Sequence, residues 1–280
     1  MWHLLSLDAP TVAALWTCFV ARCLGLRLPW TSPVAMFIAV WMIYAADRLL
    51  DARGLDLPMD GHAAHDLEER HRFHHRHRKR FLSVLALAAL SLMCLLPRIT
   101  ASALLLYSLL ATLLAAWLIV IHTRTQHGLG ARRLPKELAV GIFFPAAVFV
   151  PTVARAPWLQ LQLLPCALLF AGVCTLNCLF LYAWEHPNPD RENTRAHWTT
   201  LWAVRHLPQL AITLIALSAL ATLPASLIRV PALACGLSAA LLFLLHKQRH
   251  RILPVNLRAA ADAVLLTPLL LLPLLALLKR

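Results

Sequence analysis

The sequence predicts an all-α, polytopic membrane protein: one transmembrane domain over residues 1–280, built from about nine apolar helices. Three observations predict this. First, 60% of the residues are hydrophobic and 14% charged, against about 25% charged in soluble domains; a water-soluble fold of this size has no core large enough for so much apolar surface. Second, apolar runs of membrane-spanning length recur through the chain, many of them bounded by its 18 prolines. Third, the basic residues fall in every second connection. With the N-terminus inside, the segments 48–80, 124–136, 191–205 and 247–258 hold 19 of the 26 Lys and Arg, as expected of cytoplasmic loops.

The runs lie near 10–26, 32–51, 81–97, 100–122, 136–154, 160–184, 208–224, 228–246 and 259–278. The first lacks a basic leader and a small-residue cleavage site, and reads as a retained helix. The spans are joined by predicted cytoplasmic loops at 52–80, 123–135, 186–207 and 247–258, whereas the opposite connections are only a few residues each. Chemistry therefore belongs at the cytoplasmic face. An inner-membrane location follows, with a cytoplasmic N-terminus and an external C-terminus. The net charge of +13 is explained by topology and by anionic headgroups or substrates, and the apolar composition argues against nucleic acid. The seven cysteines lie within or at the ends of spans without a CxxC pair, which suits packing. The hydropathy resembles a four-helix unit used twice with a ninth span appended, although no residue-level repeat accompanies it.

Three segments carry candidate chemistry. The second span ends Tyr44-Ala-Ala-Asp47-Arg48-Leu-Leu-Asp51, which puts Tyr44, Asp47 and Asp51 on one helical face. Carboxylates near the hydrocarbon boundary are expensive and mark function, and carboxylate pairs bind Mg²⁺ together with substrate phosphates. The alternative is interfacial pairing of Asp47 and Asp51 with Arg48 and Arg53. The sixth span ends with Asn177, Tyr182, Trp184, Glu185 and His186, followed by Pro187, Pro189 and Asp190. Asn177 and Glu185 lie within about 80° of each other around a helix, and the prolines leave Asp190 in the loop. Tyr182 and Trp184 fit an interfacial belt. Before the fifth span, Arg124, Arg132, Arg133 and Lys136 crowd a helix start at Pro135 that favours anions such as diphosphate; positive-inside charge alone explains Arg132 and Arg133, but less well Lys136, which opens an apolar helix.

Together these segments resemble the UbiA superfamily of intramembrane prenyltransferases in their helix number, in a carboxylate motif after the second and the sixth span, and in a basic loop before the fifth. The first motif is incomplete: Asp47 and Asp51 match its last two aspartates, while Ile43 and Tyr44 stand where Asn and Asp are expected. The resemblance implies a UbiA-like bundle and a Mg²⁺-dependent transferase moving a polyprenyl group from an allylic (isoprenoid) diphosphate to an aromatic or lipid acceptor. It further implies that Asp47 and Asp51 hold one Mg²⁺, that Glu185 with Asn177 and Asp190 holds a second, and that Lys136, Arg133, Arg132, Arg48, Arg124 and Tyr44 bind the diphosphate.

A rival chemistry lies in the 14 histidines. His62, His65, His71, His74, His75 and His77 precede the third span, with His122, His127, His246 and His250 at other inner helix ends, and imidazole suits iron, copper and zinc. Membrane di-iron hydroxylases and desaturases are similar in using such boxes. Interleaved cations from Arg70 to Arg80 oppose a metal there and favour anionic headgroups or a diphosphate-binding lid. A scaffold or transporter is the third alternative; a transporter is expected to place polar groups near the midplane, whereas here they gather at one surface.

Overall fold

A computed structural model of the chain describes residues 7–51, 78–126, 136–186, 197–223 and 227–278, and they form helices with no strand among them. These are α1 (Asp8–Cys23), α2 (Thr31–Asp51), α3 (Arg78–Leu95), α4 (Ala101–Gln126), α5 (Lys136–Arg155), α6 (Gln160–Glu185), α7 (Trp198–Arg205), α8 (Leu207–Thr222), α9 (Arg229–Gln248), α10 (Pro254–Val264) and α11 (Pro268–Leu278). Short 3₁₀ turns follow α3, α5 and α9.

Among the described residues, five helical stretches are long and apolar enough to cross a membrane: Lys79–Arg98, Glu137–Arg155, Pro157–Glu185, Arg229–Arg251 and Asn256–Pro273. The α7–α8 pair adds a sixth if its two parts, bent by 77°, count as one span. Where nine spans were expected, the described residues thus give five candidate spans, or six with the bent pair. The 16 residues of α1 reach about 24 Å at 1.5 Å per residue, less than the hydrocarbon thickness of about 30 Å. α2 has 21 residues and α4 26, which at about 1.5 Å per residue reach or exceed that thickness; their apolar stretches include Thr31–Asp47 and Ala101–Trp117.

The chain forms two compact units. Unit 1 comprises Met1–Trp16 and Pro29–Thr100, and unit 2 comprises Thr17–Leu28 and Ala101–Arg280. In unit 1, α2 packs on α3, with Met36, Val40, Ala45, Leu49 and Phe81 buried. Much of α3 is bare: Leu82, Val84, Leu87, Leu90 and Met93 are exposed. A surface of that kind is adverse in water but matches lipid tails.

Unit 2 is organised around α6, which packs against α5, α7, α8, α9 and α10. Its buried Cys166, Phe170, Val173, Cys174 and Phe180 meet Val148 and Phe149 of α5 and Cys235, Ala239 and Leu242 of α9 in one core. Close approach is permitted by glycine. A Cβ at Gly141 of α5 would fall 1.9 Å from Thr175 Oγ1 of α6, and one at Gly172 would fall 2.9 Å from a Leu214 methyl of α8. Small residues set how near membrane helices come, because lipid removes the hydrophobic drive between them.

Prolines inside these helices release carbonyls that neighbouring helices satisfy. Pro151 has no N–H for the carbonyl four residues back, and the Tyr107 hydroxyl of α4 donates to that Ala147 oxygen at 3.4 Å. Pro268 likewise frees the Val264 carbonyl, to which Ser238 Oγ of α9 donates at 3.1 Å. Ser238 Oγ also lies 2.7 Å from Thr267 Oγ1, which is 3.2 Å from the Ala234 carbonyl; with one proton each, the two hydroxyls can donate in only two of these three contacts at a time. The run expected as one helix over 259–278 is divided into α10 and α11 by the turn before Pro268, whose ring nitrogen cannot carry the helical ladder on. The helix also begins earlier than expected, at Pro254, which brings Arg258 into α10.

Candidate functional site

Unit 2 gathers its carboxylates Glu137, Glu185 and Asp262, with Lys247, Arg249, Arg251 and Arg258, toward the end where α6 and α9 finish and α5 and α10 begin, while Arg22, Arg155 and Arg229 stand at other helix ends. Glu185, the last residue of α6, accepts a bond from Arg258 Nη1 of α10 through its Oε1, and both side chains are about one third exposed. Glu137, in the first turn of α5, accepts from Thr200 Oγ1 of α7 at 3.1 Å. The sequence forms α7 locally through His197, whose Nδ1 accepts the Thr199 N–H at 3.3 Å as an N-cap. Cys178, two turns before the end of α6, lies within electrostatic reach of Glu137, Asp262 and Arg258. Five helices therefore contribute to this end once α9 is added. Trp184 of α6 donates its indole N–H to Nδ1 of His246 at 3.1 Å, and Phe180 stacks with Trp184 and meets the His246 ring, with centroids 5.8 and 5.1 Å apart.

Deeper in α6, Asn177 is 6% exposed and its Oδ1 has no hydrogen-bond partner. Buried amide oxygens are nearly always bonded, which marks this one out among the polar atoms of α6. The Tyr182 hydroxyl is also buried without a partner, while its ring stacks on His186 at 4.4 Å.

The expected site residues divide as follows. Glu185 and Asn177 occupy α6 as the sequence places them. Tyr44 and Asp47 lie on the last turns of α2 in unit 1, Tyr44 half-buried and Asp47 exposed. The backbones of Arg48, Asp51, Arg124 and Lys136 are helical, but their side chains fall outside the described residues, as do Arg132, Arg133, Asp190 and the histidines between 62 and 77 in their entirety.

At the second motif the described donors differ in their suitability for Mg²⁺. The Asn177 oxygen is of the right kind, but the Glu185 carboxylate is engaged by a guanidinium. Among the described residues, no group of three or more His, Cys, Asp or Glu side chains is arranged to hold a metal ion. Mg²⁺ needs only one or two protein carboxylates besides substrate phosphates; the described carboxylate of the second motif, Glu185, is paired with Arg258. The histidine reading meets an obstacle of its own at His246. Indole and guanidinium N–H groups only donate; the first lies against Nδ1 and the second against Nε2, and a neutral imidazole accepts at only one of them. The Arg249 guanidinium, 3.2 Å from that Nε2 and donating to the His246 carbonyl at 2.9 Å, opposes a metal at that position.

Arg258, Asp262, Glu137 and Thr200 were missed in the sequence. Asp262 carried a usable signal: it is a carboxylate inside an otherwise apolar run, which by default is functional. Arg258 was counted only as loop charge, and nothing in Thr200 distinguishes it from its neighbours. No family model, no curated protein and no solved structure matches this chain.

Proposed function

We propose that the protein is a UbiA-like, nine-span enzyme of the inner membrane that transfers a polyprenyl group from an allylic diphosphate to an aromatic or lipid acceptor. The observation that supports this reading is the polar end of unit 2: the second-motif Glu185, the first turn of α5 after the basic loop, α7 and α10 are joined there by the Glu185–Arg258 and Glu137–Thr200 contacts. Beneath them runs an apolar core holding the unpartnered Asn177 oxygen. An anion is favoured at the head of α5 by the exposed N–H groups of its first turn and by the cations of 124–136.

The chemistry asks little of the protein beyond charge and dryness. Neutralising a leaving diphosphate with fixed cations lets the allylic bond break toward a carbocation, and exclusion of water keeps that cation for the acceptor. Arg258 and the basic loop residues Arg132, Arg133 and Lys136 would supply the charge, with Arg48, Arg124 and Tyr44 assisting as the resemblance implies. The apolar faces of α5, α6 and α9 would keep water out. Mg²⁺ enters this reading through Asp47 and Asp51, the matched pair of the first motif.

The test is direct. Purified protein in lipid nanodiscs, given a radiolabelled allylic diphosphate and a panel of aromatic and lipid acceptors, is expected to form a prenylated product in a Mg²⁺-dependent manner. Asp47→Asn keeps side-chain shape while deleting charge, and is expected to lower that activity at least a hundredfold with folding unchanged. Product formation indifferent to Asp47, or oxygen-dependent turnover with bound iron, would sink the transferase reading.

A further inference from the structure

The resemblance assigns Glu185 to a second metal ion, and the structure gives it a different partner. Its carboxylate faces the guanidinium of Arg258, a residue of α10 that stands 73 positions away in the chain. α10 owes its placement to packing on α6 and α9, with Leu257 and Ala261 buried on its inner side. Arg258 is therefore held in position by the fold and is not a loose surface arginine. Guanidinium carries five N–H donors in a fork that matches carboxylate and phosphate oxygens. One of its nitrogens serves Glu185, and the side chain is 31% exposed, which leaves donors for an incoming anion.

We propose that Arg258 does at the second motif what a metal ion would otherwise do: it binds the phosphate oxygens of the substrate, and Glu185 is its positioning residue, not a metal ligand. This rests on the function proposed above. A carboxylate paired with arginine has its charge already compensated, so a divalent cation gains little there unless the arginine leaves. An arginine in contact with a carboxylate is also kept out of the lipid-facing orientations that would waste it. Substrate binding then follows an exchange of partners, in which part of the guanidinium fork turns from Glu185 to the diphosphate.

The experiment uses the full chain in nanodiscs with two probes, inorganic diphosphate and Mn²⁺, the latter counted by electron paramagnetic resonance. Wild type is compared with Arg258→Gln, Arg258→Lys, Glu185→Gln and the double variant E185Q/R258Q. In the presence of EDTA, Arg258→Gln is expected to weaken diphosphate binding roughly tenfold or more, the loss of one charge-assisted hydrogen bond. Arg258→Lys should recover part of this through its point charge. Glu185→Gln is expected to leave the number of bound Mn²⁺ ions unchanged. Because a single substitution strands a half-buried charge, the double variant serves as the folding control: it should melt within a few degrees of wild type yet still bind diphosphate as weakly as Arg258→Gln. Loss of a Mn²⁺ ion in Glu185→Gln would overturn the proposal, as would metal-free diphosphate binding indifferent to Arg258. Arg258-dependent diphosphate binding without any prenyl transfer would instead leave this assignment standing and remove the transferase reading. Prenyl transfer indifferent to Arg258 would do the reverse.

Discussion

An amide oxygen without a partner, two turns inside α6, is the most informative single atom in unit 2. Asn177 Oδ1 sits in a helix otherwise packed with Phe170, Val173, Cys174 and Phe180. An unsatisfied buried polar group costs about 1–3 kcal/mol, and a chain under no functional demand has apolar residues of similar volume available. Asn177→Leu is therefore expected to raise the thermal midpoint, the equivalent of about 1 kcal/mol or more, while lowering transfer or diphosphate binding; differential scanning fluorimetry in detergent and a binding assay check the two halves. A stabilised variant with binding intact would remove Asn177 from the site. At this scale the sequence was readable where a residue type is unusual for its setting, as with Asn177, Asp47 and Glu185. It was unreadable where the residue is ordinary, as with Thr200, whose value lies only in reaching Glu137.

Helices in unit 2 are shaped by prolines and fitted together by glycines. Pro151 and Pro268 free carbonyls that Tyr107 and Ser238 accept responsibility for, each from an adjacent helix. The 259–278 run divides into α10 and α11 at the turn before Pro268, a local break that hydropathy alone does not register. Between α5 and α6 the contact is closest at Gly141, where an added Cβ would overlap Thr175 Oγ1 at 1.9 Å. Gly141→Ala is expected to destabilise the protein by about 1–3 kcal/mol through overpacking. Adding Thr175→Ala should restore part of the loss, since the oxygen that clashes is removed while the Thr175 Cβ at 3.1 Å and the Ala171 carbonyl at 3.2 Å still press. Chemical denaturation of the single and double variants measures the coupling; additive losses would mean that the two helices separate in solution rather than meeting at Gly141.

For the whole molecule, the distribution of Lys and Arg makes a firm prediction about orientation. Reporters fused after Arg80 or Arg133 are expected to behave as cytoplasmic, and a reporter at the C-terminus as external. An external signal at Arg133 would move the cations of the basic loop away from the cytoplasmic face and take the proposed diphosphate site with them. The sequence by itself determined that this is a helical protein rich in membrane-length apolar segments, because hydropathy and the 1.5 Å helical rise are properties of the local chain. It also determined which helix ends carry carboxylates and cations, since charge is costly in lipid and collects at the boundary. Only the tertiary structure decided that Glu185 meets Arg258 and Glu137 meets Thr200, pairs separated by 73 and 63 residues. Such pairings depend on the depth, rotation and crossing of packed helices. Those are set by glycine contacts and proline breaks acting between segments, which no one-dimensional pattern of hydropathy encodes.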